Sequence, residues 1–275
     1  MKIFMKIYLG ADLGGSATKL LLCDPHGKLL AETQCPLIRT SAALTAAVHA
    51  FLKTQGRDEE EVESMAMTGV GSSFIEGPVI GKEPLKIDEM QAVGQGAQAL
   101  SCQQDILAVS MGTGTALIRA DHARIRHIGG TGVGGGTLAG LALRLTGMET
   151  ADFIQLSLSG HSANVDLKVG DLTRDTMQTL NSDLTAANFG KLDARGSAAD
   201  QAAGLINMIL ETIGVMAILA VRQDTTRTIV LTGALAVLPQ AKPLYDRMSR
   251  IYNVNFLIPD HAPYAAALGA VLTIL

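Results

Sequence analysis

Ala11-Asp-Leu-Gly-Gly-Ser-Ala-Thr-Lys19 lies between two short apolar runs, Ile7-Tyr-Leu-Gly10 and Leu20-Leu-Leu-Cys23. The order is strand, glycine turn, strand. Glycine lets backbone N–H groups come close to a phosphate, and Ser16, Thr18 and Lys19 add side-chain donors. Leu13, Gly14, Gly15 and Ala17 complete the turn. Asp12 ends the first strand, where a carboxylate can hold a Mg²⁺-bound water or position a nucleophile. A Gly-Gly hairpin by itself is only a turn. This one recurs as Ser110-Met-Gly-Thr-Gly-Thr115, which follows Ile106-Leu-Ala-Val109 and precedes Ala116-Leu-Ile118. Two such clamps about a hundred residues apart predict two lobes gripping one nucleotide.

The rest of the chain repeats on the same scale. Residues 6–10, 17–23 and 27–34 read as strands, with Asp24-Pro-His-Gly27 turning the second into the third. Residues 41–54 have helical spacing, with Leu44, Val48, Phe51 and Leu52 on one side and Ser41 as N-cap. Met65-Ala-Met67 reads as a strand ending in the turn Thr68-Gly-Val-Gly-Ser72, and a helix follows over 88–101. This β-β-β-α-β-α order is that of a ribonuclease-H-like lobe. It restarts at residue 105 with strands at 106–110, 115–120 and 124–128, then helices alternating with strands at 227–232 and 254–258. The expected fold is α/β: duplicated ribonuclease-H-like lobes of the actin-like ATPase kind, residues 1–103 and 104–275, with an interlobe nucleotide cleft. Between the last strands, 198–222 reads as a long apolar helix carrying a stripe of Leu205, Ile209, Ile213, Met216 and Ala220. Core packing explains such a stripe; an inter-subunit helix is the alternative.

Composition narrows the classes. The chain has 275 residues, 48% hydrophobic and 17% charged, enough for two sizeable cores and against disorder. A formal charge of −4 with no Lys/Arg cluster gives nucleic acid no electrostatic foothold. The apolar runs are short or broken by glycine, so no membrane span is expected. Met1-Lys-Ile-Phe-Met-Lys-Ile-Tyr8 lacks a signal-peptide core and reads as a strand lead-in, with Met5 as a second candidate start. Cys23, Cys35 and Cys102 are odd in number and lack metal-ligand spacing, as expected for reduced packing thiols of a cytoplasmic protein with no structural zinc.

Gly129-Gly-Thr-Gly-Val-Gly-Gly-Gly-Thr137 places six glycines in nine residues before a helix expected to begin near Leu138. Backbone amides at the positive end of a helix dipole make an anion cradle. The spacing is neither a Walker loop nor a dinucleotide fingerprint.

Taken together, ADLGGSATK (11–19), IDEMQAVGQG (87–96), SMGTGTA (110–116), HIGGTGVGGGTLAGL (127–141) and DLTAANFG (183–190) resemble the type II pantothenate kinases. That family is a branch of the actin-like ATPase superfamily that also holds acetate and sugar kinases. The resemblance covers essentially the whole chain. It implies MgATP-dependent phosphorylation of pantothenate, the first committed step of coenzyme A synthesis, by a homodimer. Glu89, in IDEM, takes the place of the family's general base; by itself it is a first-turn helix acid, and a carboxylate at a helix N-terminus is stabilised ionised. The resemblance also carries ATP-phosphate contacts to Gly135, Gly136, Thr137, Leu138 and Ala139, and a phosphate or acceptor-hydroxyl contact to Thr113. Phe153 matches an aromatic position near the nucleotide base, and Gly233 and Ala234 match the adenosine turn. Asp12 is the expected Mg²⁺-linked residue.

Two positions depart from the family pattern. Where many members carry a substrate-contacting arginine this chain has His127, with Arg126 one residue earlier, and a substrate-touching serine corresponds to Ala116. Adjacent strand residues face opposite ways, so Arg126 replaces the arginine only through a register shift. A sugar or amino-sugar kinase of the same superfamily is an alternative, although the zinc motif of one large sugar-kinase group is missing. A regulatory ATPase or a non-catalytic ATP-binding protein is another, but the cysteines lack the spacing of an iron–sulfur activator.

Overall fold

The computed structural model describes residues 6–173, 181–192 and 196–275; the candidate start Met5 lies outside the described residues. The first half runs β1 (Ile7–Leu13), β2 (Thr18–Cys23), β3 (Leu29–Cys35), α1 (Ser41–Thr54), β4 (Val62–Thr68), β5 (Leu85–Lys86) and α2 (Glu89–Ser101). The second runs β6 (Ile106–Met111), β7 (Thr115–Ala120), β8 (Ile125–Thr131), α3 (Gly135–Thr146), α4 (Thr150–Ser157), β9 (Leu167–Lys168), α5 (Val169–Leu172), β10 (Thr185–Ala187), α6 (Ala198–Val221), β11 (Thr228–Thr232), α7 (Ala241–Tyr252), β12 (Asn255–Leu257) and α8 (Ala265–Leu272).

The expected duplication is present in the sheets. The first has the order β3-β2-β1-β4-β5 and the second, read from its far edge, β8-β7-β6-β11-β12. In each, three strands form an antiparallel meander and two more add in parallel beside the first strand. Both faces of the central strands are buried. In β6, Leu107, Val109 and Met111 face α3, α6 and α7, while Ile106 and Ala108 face α2. That is why these strands read as continuous apolar runs rather than alternating ones.

Packing crosses the expected boundary at residue 103. Helix α2 precedes that boundary yet packs, through Val93 and Ala97, on Ile106, Ala108, Ile118 and Val230 of the second sheet. Helix α8, at the end of the chain, packs through Ala267, Leu268 and Val271 on Leu21 and Cys23 of the first sheet. The two helices cross where only small residues fit: a Cβ on Gly96 would overlap the Ala265 carbonyl, and one on Gly269 the Ala92 carbonyl. The lobes are thus joined by exchanged helices at a close crossing.

Local starts and stops explain smaller differences. The N-cap of α1 is Thr40, whose hydroxyl accepts from Ala43 N–H at 3.2 Å, while Ser41 donates to the Glu76 carbonyl. Helix α3 begins at Gly135 rather than near Leu138. Helix α6 is the single helix among the described residues long and apolar enough, by length and composition, to cross a membrane. Leu205, Ile209 and Ile213 bury its stripe in the second lobe's core, with Met216 and Ala220 partly buried against it.

Candidate functional site

The first clamp is built by the β1–β2 register. Asp12 pairs with Lys19 across the ladder, so both side chains share one face, and Lys19 Nζ lies 3.6 Å from Asp12 Oδ2. The turn closes through Gly14 N–H donating to the Ala17 carbonyl at 3.1 Å. The N–H groups of Gly15 and Ser16 donate to nothing among the described residues, and both residues line the cleft.

The second clamp is the β6–β7 turn, Gly112–Gly114. Its Thr113 and Gly114 N–H groups likewise lack an internal acceptor among the described residues. Ser16 Oγ and Thr113 Oγ1 hydrogen-bond at 2.8 Å, so the clamps touch across the cleft. Behind this turn lies the glycine-rich segment, and here the structure corrects the sequence reading. Gly135 N–H donates to the Gly112 carbonyl and Gly136 N–H to the Thr113 carbonyl, both at 2.8 Å, while Gly134 N–H donates to Thr137 Oγ1 at 3.2 Å. Those amides are spent docking α3 under the turn and are not offered to a phosphate. A Cβ on Gly134 would meet Thr113 O at 2.7 Å, which is why glycine stands there.

Glu89 is the first residue of α2, behind Asp88, whose carboxylate caps the helix by accepting Gln91 N–H at 2.9 Å. Burial pushes the Glu89 carboxyl above its ordinary value, and the nearby Asp12 and Asp88 charges add to this; a hydrogen bond from Val70 N–H and the Lys19 charge oppose it. The expected stabilisation of the ionised form by the helix terminus is therefore outweighed. Burial also raises Asp12, against the pull of Lys19.

Asp12, Lys19 and Glu89 from the first half face Thr113, Gly135, Leu138, Ala139, Gly233 and Ala234 from the second across a cleft of ≈ 660 Å³. Gly233 has φ +87°, and a Cβ there would come within 2.5 Å of the Met111 carbonyl. A residue with a side chain fits neither the turn nor the space.

A sequence profile of the Fumble family matches residues 101–273. The type II pantothenate kinase of Oceanobacillus iheyensis is 32% identical over an alignment spanning 96% of this chain and 98% of that one. The chain belongs to this family. Two solved structures show the same fold at low identity. The activator of 2-hydroxyisocaproyl-CoA dehydratase from Clostridium difficile, with bound ADPNP, aligns at 14% identity and TM-score 0.67 over 97% of this chain and 93% of that one. A ROK family glucokinase from Streptomyces griseus, in complex with glucose and AMPPNP, aligns at 14% identity and TM-score 0.58 over 97% and 98%.

Within the family pattern, several expected site residues stand elsewhere. Phe153 is fully buried in the second lobe's core; its α4 neighbours Thr150 and Ile154 line the cleft instead. Leu13 is core, and Thr18 is buried with its hydroxyl accepting Ile38 N–H at 3.2 Å. Gly136 and Thr137 buttress rather than line, and Thr137 Oγ1 also donates to the Gly132 carbonyl at 2.9 Å. The register shift weighed for β8 exists: Ile118 pairs with His127 and Leu117 with Gly129, leaving Ile128 as a bulge. His127 pairs with Ile118, which faces α2, and Arg126 with Arg119, which turns to Asp224 on the other side. The sequence reading missed Gln34, Leu238 and Pro263 as lining residues. Gln34 was within reach, since it pairs with Lys19 in the β2–β3 ladder.

A hard cation fits this donor set. Asp12 is buried, and among the described residues its one ion-pair partner, Lys19, stands beyond normal hydrogen-bond distance. Among the described residues no group of three or more His, Cys, Asp or Glu could cage a metal. Mg²⁺ needs no cage; it keeps waters and takes one or two carboxylates plus phosphate oxygens.

Proposed function

We propose that this chain phosphorylates the primary hydroxyl of pantothenate from ATP, giving 4'-phosphopantothenate and ADP at the first step of coenzyme A synthesis. The observation that carries the reading is the meeting, in one cleft, of the buried Asp12 and half-buried Glu89 carboxylates from one half with neutral hydroxyls and amides from the other. Membership of the type II pantothenate kinase family supports the choice of acceptor.

The free N–H groups of Gly15, Ser16, Thr113 and Gly114 are suited to phosphate oxygens, and the Lys19 ammonium offsets their charge. Leu138, Ile154, Ala234 and Leu238 offer an apolar wall for the base. Glu89 removes the proton of the pantothenate hydroxyl as that oxygen bonds to the γ-phosphorus and the bond to the β–γ bridging oxygen breaks. A base needs a proton affinity near the working pH, and the raised Glu89 carboxyl serves this better than an ordinary one. Asp12 would hold Mg²⁺, which neutralises charge on the transferring phosphates. We take the protein to act in the cytoplasm as a homodimer, with Val215 and Leu219 exposed on α6 as the apolar contact.

The deciding experiment measures ADP formation by purified protein with pantothenate, pantetheine and a panel of sugars. Pantothenate-dependent turnover that requires Mg²⁺ is expected. Turnover on a sugar alone would give the site to the sugar-kinase reading, and acceptor-independent hydrolysis would give it to a regulatory ATPase.

A further inference from the structure

Cross-strand pairing sets Gln34, Lys19, Asp12 and Thr68 side by side across β3, β2, β1 and β4. Paired residues share a face of the sheet, so all four side chains project from one side. Ala66, two residues before Thr68, packs on Ala92, so this is the side covered by α2, which carries Glu89. The first three of the row line the cleft, whereas Thr68 is fully buried beside Asp12.

The turn after Thr68 touches both cleft carboxylates. Gly69 has φ +87°, and a Cβ there would stand 2.7 Å from Asp12 Oδ1. The next residue, Val70, gives its N–H to Glu89. Yet the Thr68 hydroxyl has no hydrogen-bond partner among the described residues. Buried hydroxyls are ordinarily paired.

The duplicated lobe supplies a control. Thr232 and Gly233 close β11 as Thr68 and Gly69 close β4, and Gly233 has the same φ of +87°. Thr232 pairs with Ser110 where Thr68 pairs with Asp12. Thr232 is also buried, but its hydroxyl donates to the Val109 carbonyl, just before Ser110, at 3.3 Å. The matching carbonyl in the first lobe, that of Ala11, takes no such bond from Thr68. The hydroxyl is satisfied where the row holds a neutral serine and left over where the row holds a carboxylate.

We propose that Thr68 is a positioning residue for Asp12, its hydroxyl donating to that carboxylate when MgATP occupies the cleft. The proposal rests on the reading of Asp12 as the residue that would hold Mg²⁺. Lys19 turns to the phosphates, and Asp12 exchanges the ammonium for a neutral donor. The χ2 torsion of an aspartate is broad, so one oxygen can turn towards Thr68 without backbone movement. The bond fixes the carboxylate plane and leaves the other oxygen to the cation. A neutral donor also leaves the aspartate its full charge, which an ammonium at that place would offset.

The test is calorimetric titration of a non-hydrolysable ATP analogue, in Mg²⁺ and in EDTA, into the parent, Thr68→Val and Thr68→Ser full chains. A hydrogen bond made only in the loaded state adds to the gain in affinity that Mg²⁺ brings. Thr68→Val should lose about tenfold or more of that gain, with affinity in EDTA unchanged, and Thr68→Ser should keep it. Valine replaces an unpaired hydroxyl with a methyl of the same shape, so the melting temperature of Thr68→Val without nucleotide should equal or exceed the parent's. A merely structural threonine gives the reverse, a lower melting temperature with the Mg²⁺ gain intact. An unchanged gain in Thr68→Val, a lowered melting temperature, or failure of Thr68→Ser to restore the gain each overturns the proposal. A parent without any Mg²⁺ gain removes the metal reading of Asp12 and this proposal together. A parent that shows the gain but leaves pantothenate untouched loses only the acceptor assignment, because none of these readouts needs turnover.

Discussion

The two glycine turns that meet at the cleft join antiparallel strands alike and are opposite in chemistry. The β1–β2 turn brings charge: Asp12 and Lys19 flank it, and Glu89 stands close enough to Asp12 to feel its field. The β6–β7 turn brings only neutral donors, and its carbonyls are held from behind by Gly135 and Gly136. Under the proposed mechanism one half supplies proton and metal chemistry, and the other a neutral cradle. Glycine accordingly has two uses here. In the first turn it leaves amides free, whereas in the segment before α3 it lets two backbones touch.

The sharpest break in this comparison is Glu89→Gln. Loss of a general base lowers kcat by about 10²–10⁴-fold, while ATP affinity and melting temperature stay near the parent values. Pantothenate turnover near the parent rate in that variant would move the base off the charged half.

Asp12→Asn tests the same half through its field. The Glu89 carboxyl is raised, so activity requiring its ionised form is present above its pKa and lost as pH falls through it. Removing the Asp12 charge removes one cause of that elevation. The acid limb of kcat/KM should therefore move to lower pH, alongside a drop in turnover of roughly 10–100-fold. An acid limb that stays in place means the two carboxylates do not interact.

Smaller effects probe the neutral half. Gly134→Ala puts a Cβ 2.7 Å from Thr113 O and 2.8 Å from Gly114 backbone atoms, while Gly132→Ala meets nothing within 4 Å. Overpacking at the first site costs roughly 1–3 kcal/mol, a fall in melting temperature of about 2–4 °C for each kcal/mol. The second should be near neutral by calorimetry. Equal losses in both would make the segment a glycine-dependent anion cradle after all.

Ser16→Ala is the mildest. It removes the one hydroxyl contact between the turns, at a cost of about 0.5–1.5 kcal/mol to the unliganded protein, and should change the KM for ATP by less than about threefold. A tenfold weaker KM would make the Ser16 hydroxyl, not the turn amides, the phosphate ligand.

Much of this was legible in the chain. Strand order, both turns, the α6 stripe and the helix start at Asp88 follow from spacing and capping that act within a few residues. Asp12, Lys19, Glu89, Thr113 and Ala234, which local motifs single out, line the cleft. Phe153 was placed near the base by resemblance alone; it is buried in the core, and Thr150 and Ile154 of the same helix line the cleft. The anion cradle was misread because six glycines look the same whether their amides face a ligand or another backbone.

By itself, then, the sequence determined which segments are strands and helices, that the unit is duplicated, and which residues carry charge near a turn. Those are properties of neighbours within one element. Tertiary structure alone decided that α2 serves the second sheet and α8 the first, through a crossing at Gly96 and Gly269 that only backbone-to-backbone contact explains. It also decided which amides remain free, and that the Glu89 carboxyl rises although it stands at a helix start. Hydrogen-bond supply and electrostatic field are set by groups far apart in the chain and close in space, and no local pattern records them.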